Sequence, residues 1–499
     1  MIEYIIPLIA TFAAPPHYTE IEINDLHVSS INTLNGKSTL NARRIDINQD
    51  GLSDLVFPDR VLLQENGTFN EENAISLPQT DLGPAIDFFN HTLYLRFSDS
   101  LKTYTFTDQA WAIGLDIEMT WPHEATADPA DETQPLRTSL FEQYLHDIDG
   151  DSVPELLFPL QDGLHIYRLD GNRYHATPTL DVFPESKLMP LDSALSVAGI
   201  TRQVAFPDQH VSFQCAIEHQ TLSILTRINH SPETIRYQTK HYSLSYSDTA
   251  YHAALVTPVL TSPPLAPFMQ PIRLSPDSEL AYAGGRLDYA STLAILNPQY
   301  ITTLQLPDKP QTRYRTKSFA PHTLFTDMNH DGKSDLVLET THITDGSLRR
   351  TLTRFTTQKK FTHTINIHLN DDSGTFDSEP DYSKTITIKL DQTPIRLSTM
   401  FERYQAGKLI NCTGDFNRDG KNDLMVQTRV DTLSLYLSTA DGFERHPALT
   451  IPINEFETFH VIDINGDSIS DLLFEGISID AIQTRPPTRA LLFHVGTHQ

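Results

Sequence analysis

One short acidic pattern occurs five times in this chain. Each copy has Asp at its first position, Asp or Asn at the third, Asp at the fifth and Asp or Glu at the ninth. We number the copies loops 1 to 5 along the chain. Such a local repeat indicates a repeat architecture, in which each copy belongs to one structural unit. The residues are Asp46, Asn48, Asp50 and Asp54; Asp147, Asp149, Asp151 and Glu155; Asp327, Asn329, Asp331 and Asp335; Asp415, Asn417, Asp419 and Asp423; and Asp463, Asn465, Asp467 and Asp471.

The spacing of these residues is typical of a calcium loop. Side-chain oxygen atoms at alternating positions can surround one hard cation, and a backbone carbonyl at position seven adds a further oxygen ligand. Carboxylates packed this closely would repel one another without a cation. We therefore predict up to five Ca²⁺ ions, with positions one, three, five, seven and nine as ligands, although any single loop could be a metal-free acidic turn. The residues at position seven are Leu52, Val153, Lys333, Lys421 and Ile469.

The residues around the acidic positions predict the local backbone. Gly51, Gly332 and Gly420 stand at position six, where a sharp turn needs a positive φ, whereas loops 2 and 5 carry Gly150 and Gly466 at position four. EF-hands have a Glu at position twelve, but here that position is apolar. Because three apolar residues follow position nine in every loop, each loop is predicted to lead into a strand buried on both faces.

The pattern of an acidic loop, an apolar strand and a later Gly-aromatic turn resembles the FG-GAP/VCBS repeats of integrin-α-like β-propellers. The resemblance is clearest over residues 40–75, 140–175 and 320–480, and it implies an all-β propeller whose calcium loops brace the blades. Loop starts 48, 101 and 180 residues apart predict seven or eight blades, with degenerate blades over residues 180–320. Residues 274–280 look like a degenerate copy of the loop.

The two ends of the chain are predicted to share one blade. Residues 19–28 alternate between apolar and polar side chains, and residues 490–495 are apolar. A propeller protects its strand edges by closing its ring, so these segments should pair. The propeller would then extend over residues 15–499.

Charge and the first residues favour export. The 499 residues carry a formal net charge of −27, which five Ca²⁺ would change to −17, so nucleic acid and anionic membranes are disfavoured as partners. Residues 1–14 resemble a signal peptide with Glu3 in place of a basic residue, and a buried strand is the alternative. No apolar run is long enough to span a membrane. We expect a secreted, periplasmic or cell-surface protein.

The two cysteines place no strong constraint on the fold. Cys215 and Cys412 are far apart in the sequence, and they could form a disulfide in an oxidising compartment or remain two buried thiols.

No catalytic motif stands out, so we expect a non-catalytic adhesion or protein-interaction module that binds a protein or a glycan on a surface. His363 and His368 lie near an alternating segment and are expected to face solvent from a strand. The alternatives are a polysaccharide lyase or hydrolase, and a lectin that uses aromatic residues such as Trp111, Trp121 or Tyr167. Such aromatics are more often core residues.

One basic segment interrupts the acidic chain. It is either a solvated hairpin or a loop that docks an acidic glycan or protein. Its residues are Arg349, Arg350, Arg354, Lys359 and Lys360.

Overall fold

The computed structural model describes residues 16–494 apart from internal gaps. The gaps are residues 27, 32–37, 41, 58, 79–85, 98, 108–109, 120–144, 161–162, 172, 181–203, 206–210, 219, 232–233, 248–249, 267–268, 276–279, 288–299, 307–308, 317–322, 343–359, 371–374, 390–408, 455–456 and 477–487. The predicted signal segment and the basic residues from Arg349 to Lys359 lie outside the described residues.

The described chain is built from 39 strands and one 3₁₀ turn, Glu71–Asn73. Strands β1 to β9 are His17–Glu22, Val28–Ile31, Ser38–Leu40, Arg43–Ile45, Asp54–Val56, Arg60–Leu62, Gln64–Glu65, Thr68–Phe69 and Ile75–Ser76. Strands β10 to β17 are Ile86–Phe89, Thr92–Arg96, Ser100–Thr107, Ala110–Glu118, Leu145–His146, Glu155–Leu160, Gly163–Asp170 and Arg173–Ala176. Strands β18 to β26 are Val204–Ala205, Val211–Glu218, Thr221–Ser231, Thr234–Ser247, Ala250–Thr261, Gln270–Ile272, Ala281–Leu287, Tyr300–Gln305 and Thr312–Thr316. Strands β27 to β39 are Thr323–Thr326, Asp335–His342, Lys360–His368, Tyr382–Lys389, Ile410–Gly414, Asp423–Arg429, Thr432–Tyr436, Ser438–Thr439, Gly442–Phe443, Leu449–Pro452, Glu457–Ile462, Asp471–Gly476 and Arg489–His494.

These strands form sheets in a propeller-like arrangement, and neighbouring strands are antiparallel except for β13 and β17. Six separate sheets have the size of a blade: β1-β39-β38-β37, β4-β5-β6-β9, β18 to β22, β23 to β26, β27 to β30, and β31-β32-β33-β36. The predicted count of seven or eight blades is therefore corrected to six. The difference arises because β10 to β17 form one eight-stranded sheet, whose two halves are joined by a parallel pairing of Glu118 with Arg173. The sequence spacing alone therefore counts those two halves as two separate blades.

The core lies between neighbouring sheets. One apolar cluster, for example, joins Val337 and Ile365 of the β27–β30 sheet to Leu424 and Val426 of the next sheet. Another joins Met425 and Leu435 of that sheet to the sheet that contains both chain ends. The predicted double burial of the strand after each loop is confirmed for loops 1, 3, 4 and 5, and for Leu156 and Leu157 after loop 2. Each sheet is thus packed on two faces, as a blade is.

The predicted closure by the chain ends is confirmed. β1 pairs antiparallel with β39, from His17 opposite His494 to Glu22 opposite Arg489. The first strand ends at Glu22 rather than at residue 28, because the chain turns at Asp25, which has a positive φ of 58°. The Arg489 guanidinium also bridges Glu20 of β1 and Glu457 of β37. The first strand of the chain therefore completes a sheet made by its last strands.

Every acidic loop connects an edge strand of its sheet to the neighbouring strand, and all five share one backbone geometry. Position four and position six both have positive φ in each loop, between 54° and 86°. The sequence changes only which of the two positions is glycine: Ser152 and Ser468 take positive φ at position six, where the other loops have Gly51, Gly332 and Gly420. The prediction of a sharp turn at position six is confirmed, and a second such turn at position four accompanies it.

Substitutions at position six test this shared geometry. Gly51 has no atom within 4 Å of where a Cβ would stand, so Gly51→Ala meets only the backbone cost of positive φ. We expect it to lower the free energy of unfolding by about 1 kcal/mol in a urea titration. The matched change Ser152→Gly removes that cost from loop 2 and should not lower stability. If both substitutions lowered it equally, the loops would not share this backbone.

Hydrogen exchange tests the closure of the ring. The β1 amides that face β39 should exchange as slowly as the β39 amides that face β1, because these groups open only when the shared sheet opens. Fast exchange throughout β1 with a protected β39 would show that the first strand is not part of the sheet.

Candidate functional site

The carboxylates at positions one and five of each loop accept hydrogen bonds from backbone amides of the same loop. In loop 4, Asp415 accepts hydrogen bonds from the backbone N–H of Asp419, at 3.3 Å, and of Gly420, at 2.9 Å. Asp419 in turn accepts one from the N–H of Lys421, at 2.9 Å. The corresponding bonds recur in the other loops, with Gly150 and Gly466 as donors in loops 2 and 5. The turns that the glycines permit therefore direct these oxygen atoms to the inside of the loop.

Position three separates loop 2 from the other loops. Loops 1, 3, 4 and 5 have Asn, whose Nδ2 donates to the position-five carboxylate at 2.9–3.3 Å. Loop 2 has Asp149, and one oxygen from each of Asp147, Asp149 and Asp151 lies within 4.8 Å of the others. Three carboxylates at that spacing form a donor set that suits a hard divalent cation. The residues of loop 2 thus fit the predicted metal, and the other loops replace one carboxylate by an amide.

Position seven contributes its amide to the loop. Its N–H donates to the position-five carboxylate at 2.8–2.9 Å in all five loops. Its side chain varies from the half-exposed Leu52 to the buried Ile469, which packs in the core. That variation agrees with a backbone role, and ligation by its carbonyl stays a prediction.

Position nine is a buried clamp, a role that the sequence did not reveal. Asp54, Asp335, Asp423 and Asp471 are 0% exposed, and Glu155 is 1% exposed. One carboxylate oxygen accepts the N–H of position two, at 2.7–2.9 Å, in every loop. In loops 1, 3, 4 and 5 the other oxygen accepts an N–H from a strand or segment beyond the loop, that of Gln64, Asn370, Ser438 or Phe493. Each clamp thus ties a loop to its sheet, and metal ligation by the same carboxylates stays a prediction.

Burial raises the pKa of all five position-nine carboxyls. Desolvation exceeds the stabilising effect of the backbone N–H groups, and the neighbouring acidic residues add to the rise. The pKa reaches about 6 for Asp54 and Asp335, about 7 for Glu155 and about 8 for Asp423. The pKa of Asp471 also lies well above its ordinary value. Without a cation, these groups therefore resist ionisation in the folded protein.

Each loop also receives a hydrogen bond from the next sheet. The donor reaches the backbone carbonyl of position one or two in all five cases. In loop 3 the N–H of Asn422 donates to Met328 O at 2.9 Å, and in loop 4 the N–H of Ser470 donates to Asp415 O at 2.8 Å. In loop 5 the Arg44 guanidinium donates to Asp463 O at 2.9 Å. The acidic loops are therefore joints between neighbouring sheets.

In the two remaining loops, the donor residue does not belong to an acidic loop of its own sheet. His91 Nδ1 lies 2.9 Å from Asp46 O in loop 1, and Gln220 Nε2 donates to Ile148 O in loop 2 at 2.9 Å. The sheet of β23 to β26 is joined in the same way, since the N–H of Ser334 donates to Leu274 O at 2.6 Å. Leu274 begins the predicted degenerate loop, whose residues 276–279 lie outside the described part of the chain.

A sequence signal for these joints exists at position eight. That position is Ser or Asn in loops 1, 3, 4 and 5, and the donors Ser334, Asn422 and Ser470 all occupy it. Loop 2 has Pro154 there, which lacks an N–H. In loop 1, Ser53 instead lies against Gly466 of loop 5, where an added Cβ would stand 2.7 Å from the Ser53 hydroxyl oxygen. A polar residue before the position-nine acid could therefore have indicated the contact.

The expectation that His363 and His368 face solvent is wrong. His363 is 0% exposed, and its Nε2 lies 3.1 Å from Glu339 Oε2 on the neighbouring strand β28. It shares a strand face with Ile365 and Ile367, which pack in the core, so alternation places it inside. His368 is buried too, with Nδ1 2.8 Å from Asp377 O. Both are satisfied core histidines.

The remaining sequence candidates are also structural where they are described. Cys412 is a buried free thiol, and burial raises its pKa, so it is not poised to react. Tyr167 is a core residue, and Trp111 packs against Phe106 while its Nε1 donates to Ser76 O. Trp121 lies outside the described residues. No helix among the described residues is long and apolar enough to cross a membrane.

Comparison with known proteins gives one specific match. No curated protein matches the chain. Among solved structures, a chimera of the oxygenase ACO with RPE65 shares 9% identity at a TM-score of 0.20, covering 97% of this chain and 94% of that one. Two variants of the Synechocystis apocarotenoid oxygenase share 10% identity at TM-scores of 0.21 and 0.20, with the same coverage. Scores this low carry no argument about fold or function.

The family model of the FG-GAP-like repeat matches residues 415–474. This segment begins at position one of loop 4 and ends in the buried strand after loop 5, so it contains both loops and the joint between them. The chain thus carries an FG-GAP-like repeat within a β-propeller-like arrangement of sheets.

Proposed function

We propose that this protein is a calcium-stabilised β-propeller that acts outside the cytoplasm as a non-catalytic module for binding a protein or glycan surface. The observation that supports this most directly is the double role of the acidic loops. Each loop collects carboxylate or amide oxygens on its inside and receives a donor from the next sheet on its backbone. A cation that fixes a loop therefore also fixes a joint between blades.

The chemistry of the loops explains what the cation would do. Positions one, three and five would hold Ca²⁺ through side-chain oxygens, position seven through its carbonyl and position nine through its carboxylate. The ion supplies positive charge to acidic groups that otherwise repel one another. The protein's own hydrogen bonds already set the loop backbone, so little ordering remains for the ion to impose. Metal bound only by the folded state adds to its stability.

The surface role rests on the charge and the fold. A propeller presents connecting loops at its two ends, and such loops commonly carry binding residues on a rigid scaffold. The net charge disfavours polyanionic partners, since it stays negative even with five calcium ions bound. We therefore infer a neutral or basic partner surface.

Metal removal tests the calcium proposal. Excess EDTA should lower the melting temperature, because each site at a hundredfold excess of Ca²⁺ over its Kd contributes about 2.7 kcal/mol to the folded state. The measurement is a thermal melt with and without chelator, accompanied by elemental analysis of the sample. An unchanged melt of a sample shown to be metal-free would refute the proposal.

A matched pair of variants assigns the effect to the loops. Asp419→Asn changes an exposed ligand of loop 4, whereas Asp441→Asn makes the same change of charge at the exposed turn between β34 and β35. Only Asp419→Asn should reduce the stabilisation that Ca²⁺ provides. Equal effects would mean that calcium acts on the overall charge and not on the loop.

The raised pKa values predict how stability depends on pH without metal. The pKa of Asp423 is 3.8 ordinarily and about 8 in the folded protein, so the unfolded chain releases its proton first as the pH rises. The free energy of unfolding should therefore fall between those two values, and the other four clamps act in the same direction. Urea midpoints in EDTA at pH 5 and pH 8 measure this fall.

Two controls complete the pH test. Asp423→Asn removes one titrating clamp and should reduce the slope. Added Ca²⁺ favours ionised carboxylates and should flatten the profile. A metal-free protein that became more stable from pH 5 to pH 8 would contradict the account.

A further inference from the structure

The carboxylates of loop 2 form ion pairs with an arginine side chain of the same chain. Arg168 lies on strand β16, and its Nη2 is 3.1 Å from Asp149 Oδ2 and 3.3 Å from Asp151 Oδ2. The guanidinium therefore bridges positions three and five, two of the three carboxylates that fit a metal ion. The Asp149 side chain is 10% exposed, so this ion pair is partly shielded from solvent.

A tyrosine of the next sheet holds Arg168 in place. The guanidinium carbon lies 4.2 Å from the ring centroid of Tyr246 on strand β21, and Nη1 donates to the Tyr246 hydroxyl at 2.9 Å. Stacking and a hydrogen bond together order a side chain that would otherwise be free to leave the loop. Arg168 thus joins loop 2 to the adjacent sheet.

This arrangement differs from that of the other loops. In loop 3, Lys333 lies 3.9 Å from the Asp331 carboxylate at position five. In loop 5, Arg44 contacts the carboxylate and carbonyl of Asp463 at position one. Arg168 contacts the carboxylates of positions three and five in loop 2, the loop in which both of these positions are Asp.

We propose that Arg168 is a built-in competitor of calcium in loop 2, which makes this loop bind Ca²⁺ more weakly than the other four. The inference rests on the proposed calcium role. A divalent ion would compete with the guanidinium for the oxygens of Asp149 and Asp151, so we expect binding to displace Arg168 or weaken its contacts with them. The charge of Arg168 also repels the incoming ion. Because Tyr246 holds Arg168, occupancy of loop 2 is coupled to the adjacent sheet.

Calcium titration of the full chain tests the competition. Isothermal titration of the wild type should show four tighter sites and one weaker site, and Asp149→Asn should change only the weaker site. Arg168→Gln should tighten that site roughly tenfold, allowing for the solvent screening of a partly exposed charge. Arg168→Lys keeps the charge and should leave the site weak. Arg173→Gln is the control, since Arg173 lies on the next strand and its guanidinium pairs with the exposed Glu118, at 3.6 Å.

Melting temperatures distinguish competition between Arg168 and Ca²⁺ from a purely structural role of Arg168. In EDTA, Arg168→Gln should melt at a lower temperature than the wild type, because the three carboxylates lose their counter-ion. Saturating Ca²⁺ should remove this difference in melting temperature. A loss of stability that persists in saturating Ca²⁺ would mean that Arg168 matters only for its contact with Tyr246.

The outcomes distinguish the two proposals. Five equivalent sites in the wild type, unchanged by Arg168→Gln, would overturn the inference about Arg168 and leave the calcium role intact. Absence of calcium binding in the wild type and in every variant would overturn the calcium role itself, and the inference with it.

Discussion

A buried carboxylate at the ninth position of each loop is the interaction on which the rest of the structure depends. An acidic group that is nearly or completely removed from water needs hydrogen-bond partners, and in its ionised form it also favours a counter-ion. Here the position-two N–H supplies one hydrogen bond in every loop, and in four loops a second N–H comes from beyond the loop. The acid thereby holds the loop against its own sheet, directly before the strand that is buried on both faces.

The same loops connect the sheets to one another. With the loop backbone fixed, the carbonyls of positions one and two face the next sheet, and a donor from that sheet reaches them in all five cases. Apolar clusters between sheets add most of the contact, but they are non-directional and permit sliding. The hydrogen bonds at the loops set the relative position of neighbouring sheets, and a bound cation would stiffen that end of the interface.

Much of this organisation could be predicted from the sequence, because local patterns determine it. The apolar triplets predicted buried strands, glycine predicted positive φ, and the alternating first strand predicted its pairing with the last. The blade count was wrong because the pairing of Glu118 with Arg173, which merges two halves into one sheet, depends on contacts between distant residues. His363 was misplaced because the burial of its strand face is set by a neighbouring sheet. Arg168 was missed for the same reason, since nothing near it in the sequence indicates that it meets loop 2 and Tyr246.

A crystal structure of the protein grown in calcium, with anomalous difference maps, tests the central claim most directly. The account predicts an anomalous peak among the oxygens of positions one, three and five in the acidic loops, with the donors from the next sheet still in place. Loops that hold only water at saturating calcium, with the same backbone, would contradict it. The joints would then be maintained by hydrogen bonds alone.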